Sequence, residues 1–260
     1  MTVKSGCYLW FLMVVVVVAT PASVHAKLLD GLVAYWALDE GRGDVMGDSV
    51  GENPGEIEVD RGVWTDDAQI GKAFELKGQS LITVKNSRVL DKLPNGFTIA
   101  HWMKPTKGGA IMDKSGGDGT RIQWYLLGDK RHHWGVGGAW GFSDGKPIGA
   151  FGKWYHVAWT HEPNEASVVY RDGKEVGNKI LGEVPVTGKP MHFGNRLPWE
   201  GRSEWFNGTL DEIGFWNRPL SEAEVQEVME NGIGSLLAVS TRDKVTTTWG
   251  AIKGWRTGIN

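Results

Sequence analysis

The chain has one cysteine among 260 residues, Cys7, and it lies in the first 26. That stretch joins Lys4 to an apolar run from Tyr8 to Val18 and then to Val24-His25-Ala26, with small residues where a signal peptidase reads. It is the pattern of a secretory signal peptide cleaved after Ala26. The run is short of the roughly 20 apolar residues that a bilayer span needs, so no membrane span is expected in the mature chain. Removing the leader removes Cys7, and a disulfide framework is excluded. An exported chain without crosslinks must be held by its core or by a metal. Basic runs are absent too: 28 Lys and Arg face 31 Asp and Glu, for a net charge of -3, and nothing basic is concentrated anywhere. A nucleic-acid partner, whose phosphates would need neutralising, is therefore not expected. No Gly-x-Ser-x-Gly elbow, P-loop lysine or His-Glu-x-x-His pair occurs, which removes the common nucleophilic, phosphate-binding and zinc-hydrolase chemistries.

What is abundant is glycine, at 37, and tryptophan, at 14. Glycine serves turns with positive φ, and tryptophan suits half-buried strands, so the composition leans all-β. From Lys27 onwards short runs with period-two alternation are broken about every ten residues by Gly, Asp, Asn and Pro, the signature of a sandwich or barrel. Residues 97–104, 153–160 and 210–216 carry large side chains on both alternating faces, as strands between two covering layers do. Asp172-Gly173 and Asn207-Gly208 each read as a two-residue type I′ hairpin turn. The second is also a formal glycosylation acceptor, Asn207-Gly208-Thr209, but is needed as a turn. One helix is expected, opened by the capping box Ser221-Glu222-Ala223-Glu224, with Val225, Val228 and Met229 as its apolar stripe and Asn231-Gly232 as its stop. Residues 27–234 read as one domain. Residues 235–260 read as either an appended strand or a loose tail.

The order of motifs is more specific than any one of them. Gly31-Leu32-Val33-Ala34-Tyr35-Trp36-Ala37-Leu38-Asp39-Glu40-Gly41 is followed by Asp48-Ser49-Val50-Gly51-Glu52-Asn53-Pro54-Gly55. Then come Gly71-Lys72-Ala73-Phe74, Phe97-Thr98-Ile99 with Trp102, Trp154-Tyr155-His156-Val157-Ala158, Asp172-Gly173-Lys174, and Phe206-Asn207-Gly208-Thr209-Leu210-Asp211-Glu212-Ile213 leading through Asn217-Arg218-Pro219-Leu220-Ser221 into the helix. The series resembles the laminin G-like domains of the concanavalin A-like lectin/glucanase superfamily, in the form common among secreted bacterial proteins. The resemblance implies an all-β, two-sheet antiparallel jelly-roll sandwich with one short C-terminal helix, and a binding module in place of a catalyst. It also implies a structural calcium ion held by Asp48, Asn53 and Asp211. Carboxylates brought together from the two ends of the chain would repel without a cation. The loop here is a residue shorter than the family's and has Glu52 where Asn is usual. The alternative is that Asp48 caps a turn and Asp211 accepts backbone hydrogen bonds, with no ion.

Sugar recognition would use flat aromatic faces. Residues 128–153 and 195–205 read as loops carrying Trp134, Trp140, Trp199 and Trp205, and Trp140 and Trp199 are the candidate ligand-binding residues because their neighbours offer little core to enter. The alternative is an indole cluster in which the loops bury one another. Glu56, Glu58 and Asp60 have the alternating spacing of a glucanase strand, but Ile57 and Val59 between them would point inwards, leaving an exposed acidic face. Asp211 and Glu212 are adjacent and should project to opposite faces. Of the six histidines after the leader, His132 and His133 fall in a loop and His192 before a turn, while His101, His156 and His161 sit in strands. Asp113 to Gly119 reads as a solvated hairpin loop. The expected function is a secreted module for extracellular carbohydrate or a protein partner, with a glycoside hydrolase of the same fold or a purely structural cell-surface domain as rivals.

Overall fold

Alternation along the strands decides the two layers. In β9 (Arg121–Leu126) the side chains of Ile122, Trp124 and Leu126 enter the main core, while Gln123 and Tyr125 turn the other way. The same period runs through the other strands of a computed structural model that describes residues 27–58, 62–116, 120–142, 147–196 and 204–238. Residues 1–26, expected to be a signal peptide, and those beyond Ala238 lie outside the described residues.

Two eight-stranded antiparallel sheets pack face to face in a jelly-roll sandwich. The first runs β14 (Lys174–Ile180), β13 (Ala166–Arg171), β12 (Tyr155–His161), β7 (Phe97–Lys107), β16 (Asn207–Trp216), β5 (Ala73–Leu76) and β4 (Val63–Thr65), and β1 (Leu32–Trp36) also pairs with β16. The second runs β11 (Ala139–Phe142), β10 (His132–Val136), β9, β8 (Gly109–Ser115), β15 (Met191–Phe193), β6 (Leu81–Val84), β3 (Gly55–Glu58) and β2 (Val45–Met46). Between them lie Trp36, Trp124, Trp134 and Trp159 with Phe97, Phe193 and Phe215, all fully withdrawn from water. Burying each such ring stabilises the fold by roughly 2–3 kcal/mol.

The outer face of the first sheet carries its own cluster. The helix α2 (Glu222–Asn231) lays Val225 and Val228 over Leu28, Tyr35 and Trp216, joined by Ile233 and Leu236. Its capping box forms as expected: the Ser221 hydroxyl accepts from the Glu224 amide and the Glu224 carboxylate accepts from the Ser221 amide. A short helix α1 (Arg88–Asp91) follows β6. The Asp172-Gly173 turn is also as expected, with φ of 50° and 71° between β13 and β14.

Four local readings are corrected. Asp113 to Ser115, expected in a solvated hairpin loop, are buried residues of β8. Asn207-Gly208 is no turn but the start of the ten-residue β16, where the register against β7 shifts. Gly208 has φ of 153°, and a Cβ there would come within 2.6 Å of the Lys104 carbonyl, so the glycine serves a close strand approach. Residues 128–153 are not all loop, because His132–Val136 and Ala139–Phe142 are strands and His192 lies within β15. Last, Asp211 and Glu212 do not face opposite ways. Leu210 and Ile213 both enter the core, the register shifts between Asp211 and Gly214, and Glu212 has φ of 55°. This is a bulge, in which one extra residue puts two neighbours on the same outer face. It falls where β16 changes partner, from β5 at Gly208–Leu210 to β1 at Ile213–Trp216.

Candidate functional site

The outer face of the second sheet carries one row of residues in register across seven strands: Glu56, Thr83, His192, Asp113, Gln123, Gly135 and Trp140. At its centre Gln123 donates to Asp113 at 2.5 Å, the Ser115 hydroxyl bridges both Asp113 oxygens, and Thr83 meets His192 at 3.1 Å. At its end the Trp140 indole lies over Gly135. A Cβ at Gly135 would stand 2.6 Å from that ring, so only glycine admits it. The His133 ring is 4.3 Å from Trp140, Tyr125 is 6.2 Å away, and the Arg121 guanidinium sits 5.5 Å over the indole.

Beside this aromatic group opens a cavity of about 410 Å³, within the usual size range of small-ligand sites. Its walls include Lys107, Tyr125, His133, Trp140, Glu204 and Trp205. The segment carrying Glu204 and Trp205 is tied to β8 by Ala110 N–H donating to the Glu204 carbonyl at 2.7 Å and by a parallel bridge between Ala110 and Trp205. Gly109 makes this approach possible, since a Cβ there would lie 2.3 Å from the Phe206 nitrogen. Burial pushes His133 down to about 4, and the charge of Arg131 adds to this, so its imidazole is neutral at pH 7. Burial, with the negative charge of Glu204 beside it, raises Tyr125, which keeps its phenol proton. The site thus offers aromatic faces, a hydroxyl, a neutral imidazole and charged groups at its rim.

Trp140 is where the sequence placed a ligand-binding tryptophan. Trp199 lies outside the described residues, between Arg196 and Glu204, which both line the cavity. Trp205, part of the same sequence segment, lines it as well, and nothing in its sequence neighbours marks it for that place. Trp134 belongs instead to the core.

The three residues expected to hold calcium do not converge. Asp48 Oδ1 accepts from the amides of Tyr35, Val50 and Gly51 at 3.0 Å each, and Oδ2 accepts from the Asn53 amide and side chain. Asn53 Oδ1 is taken by the Ser87 hydroxyl at 2.6 Å. Five N–H groups aimed at one carboxylate build a nest for negative charge, the opposite of a cation site. Asp211 lies on the other side of β1, because Tyr35 turns its amide and carbonyl to the Asp48–Ser49 loop while β16 pairs along the opposite edge. Its Oδ2 accepts from the Gln69 and Ile70 amides. Among the described residues no three His, Cys, Asp or Glu are grouped to hold a metal. The residues therefore do not fit one shared ion, and both carboxylates act as staples for loop backbone.

A family model described as concanavalin A-like lectin/glucanases superfamily, of laminin G type, matches residues 76–226, more than half of the chain. The chain belongs to that superfamily. No curated protein matches it by sequence. Among solved structures, this laminin G-like chain is similar to domain 4 of AbnA, a GH43 extracellular arabinanase from Geobacillus stearothermophilus, in complex with arabinotriose, at 21% identity and a TM-score of 0.62 over 76% of this chain and 97% of that one. It is also similar to the binding domain of botulinum neurotoxin DC in complex with rat synaptotagmin II, at 13% identity, TM-score 0.57, 77% and 51% coverage. A botulinum neurotoxin type C structure, whose cell entry depends on two ganglioside molecules, matches at 15% identity, TM-score 0.56, 78% and 52% coverage. The laminin G-like chain spans about half the length of these toxin chains. At these identities the likeness is one of fold.

Glu56 and Glu58 are exposed while Ile57 between them is buried in the core, and Glu56 pairs with Lys85 at 2.6 Å. Among the described residues the cavity holds one carboxylate, Glu204. Glycoside hydrolysis of the usual kind needs two, on either side of the scissile bond. No helix of the described residues is long and apolar enough to cross a membrane.

Proposed function

We propose that the chain is an exported, non-catalytic carbohydrate-binding module whose site is the cavity beside Trp140. The observation that carries this is the aromatic wall of Trp140, His133 and Tyr125 set into a cavity of about 410 Å³. Aromatic faces bind the C–H side of a sugar ring through apolar and dispersion contact, and the Tyr125 hydroxyl and Glu204 carboxylate read its hydroxyl groups. The volume suits one or two sugar rings. The arabinotriose bound by a domain of similar fold supports the same class of ligand. Export rests on the leader of residues 1–26, and the presence of one carboxylate, Glu204, among the described cavity residues favours binding over hydrolysis.

A glycan array probed with the purified protein, followed by titration of the strongest glycan, tests the reading. Trp140→Ala should weaken that glycan at least tenfold, the equivalent of about 1.4 kcal/mol, with the melting midpoint nearly kept. Binding that ignores Trp140→Ala would move the site elsewhere, and hydrolysis of the bound glycan would overturn the non-catalytic assignment.

A further inference from the structure

We infer that Lys114 and Asn86 join in an intramolecular isopeptide bond, with Asp91 passing the proton between the two nitrogens. Lys114 lies in β8, Asn86 in the connection from β6 to α1, and Asp91 at the end of α1. The Lys114 Nζ donates to Asn86 Oδ1 at 2.7 Å, so the amide carbon, about 1.2 Å from that oxygen, lies within about 4 Å of the amine. Asn86 Nδ2 donates to Asp91 Oδ2 at 3.5 Å, and Asp91 Oδ1 stands 3.1 Å from the same Nζ. One carboxylate therefore touches both the attacking nitrogen and the nitrogen that leaves. The amide is held the right way round, because turning it over would set its N–H groups against the ammonium.

The surroundings favour the reaction. The Lys114 side chain is 1% exposed and that of Asp91 8%. Burial pushes the Lys114 ammonium below its ordinary value, although Asp91 opposes this, and a desolvated lysine is an activated nucleophile. The free amine attacks Cγ of Asn86. The Nζ–Cγ bond forms and the Cγ–Nδ2 bond breaks, while Asp91 takes one proton from Nζ and delivers it to Nδ2. The latter leaves as ammonia on the solvent-exposed side of Asn86. Atoms balance, nothing is oxidised or reduced, and no co-reactant is needed. Fixing amine, amide and carboxylate in one fold supplies the effective concentration that makes such a transfer feasible. The bond passes over β15, which stands between β8 and β6 in the second sheet, and ties those two strands together. Residues 27–234 contain no cysteine, so this is a covalent crosslink of a kind that needs none.

The test is high-resolution mass spectrometry of the purified full chain after incubation in the folded state. The intact protein should be lighter than its processed sequence by one ammonia, and digestion should release a branched peptide joining Lys114 to Asn86. Lys114→Arg keeps a cation beside Asp91, and Asn86→Ala keeps the ion pair itself. Both variants should fold, as followed by circular dichroism, and neither should yield the branched peptide. Asp91→Asn should slow its formation at least tenfold. A folded wild type that keeps its full mass through prolonged incubation would overturn the inference. So would an ammonia loss that the digest places at another residue, or a branched peptide joining Lys114 to Asp91 with loss of water. Crosslinking at an unchanged rate in folded Asp91→Asn would overturn the part given to that carboxylate.

Discussion

Lys114 and Asp91 face one another at 3.1 Å with both side chains almost wholly withdrawn from water. The Lys114 ammonium also donates to Asn86 Oδ1 at 2.7 Å and to the Lys189 carbonyl at 2.5 Å, while Asp91 accepts from Thr187 and Gly188. The pair ties α1 and the 187–189 segment to β8. Burial alone would push the Asp91 carboxyl up, but the Lys114 ammonium and the backbone donors hold it below its ordinary value.

Removing one partner strands the other charge in the interior, which typically costs about 3–5 kcal/mol. Lys114→Met should therefore lower the urea midpoint sharply. The double variant Lys114→Met/Asp91→Leu should lose clearly less than the sum of the two single variants. Additive losses would mean the two side chains do not act as a pair.

Asp48→Ala should release the loop 48–53 from β1. It removes the acceptor of four backbone amides, each worth roughly 1 kcal/mol net, so a loss of about 2–4 kcal/mol is expected. The loss should be the same in chelator and in millimolar calcium. A loss seen only with calcium present would restore the ion to this loop.

The two bulge carboxyls give a stability term with a definite sign. Burial, with Asp39 nearby, pushes Asp211 up to about 6, and burial, with the charge of Asp211, pushes Glu212 up to about 7 against its hydrogen bond from Tyr35. A carboxyl whose folded value is raised stabilises the fold below its unfolded value near 4 and loses that contribution as pH rises through 6 to 7. The histidines act the other way. Burial drives His101 to about 4 and His132 and His156 to about 3, so their contribution is present above 6.5 and lost as pH falls towards 4. Unfolding free energy should therefore fall on acidification below pH 6.5. Asp211→Asn removes a contribution that opposes this fall, so the loss of stability on acidification should become steeper between about pH 6 and pH 4. An unchanged slope there would mean the carboxyl titrates normally.

Gly135→Ala should separate site from fold. The added methyl meets the Trp140 ring at 2.6 Å and must displace it. Glycan affinity should fall about as far as in Trp140→Ala, while the melting midpoint drops by only a few degrees. Full affinity in this variant would show that the indole's seat on β10 does not matter.

Much of the sandwich was legible along the chain because alternation, capping boxes and Asp-Gly turns are local. Ser221 and Glu224 meet within one helical turn, and Asp172-Gly173 needs only its flanking strands. Asn207-Gly208 misled because the same dipeptide that makes a turn also permits a strand to press against another, and only β5 and β7 decide which. His132-His133-Trp134-Gly135-Val136 is a strand that sends Trp134 and Val136 into the core, yet its histidines and glycine read as loop. The fate of Asp211 and Glu212 turned on a register shift that no spacing reveals. Trp140 could be singled out by its neighbours, but the cavity joins the ends of β7 to β11 with residues 204 and 205, and such a gathering exists only once the chain is folded.

The Asp48 loop has one more effect, on assembly. A strand at the rim of a sheet offers unpaired amides and carbonyls to any passing chain. On β1 the Tyr35 amide is occupied by Asp48 and its carbonyl by the Ser49 amide at 2.8 Å. At the opposite rim of the same sheet, β14 presents Lys174, Glu175 and Lys179, charges that discourage strand addition. The contacts that hold the fold at this rim also guard it against polymerisation, so loosening Asp48 should expose an adhesive edge before it unfolds the domain.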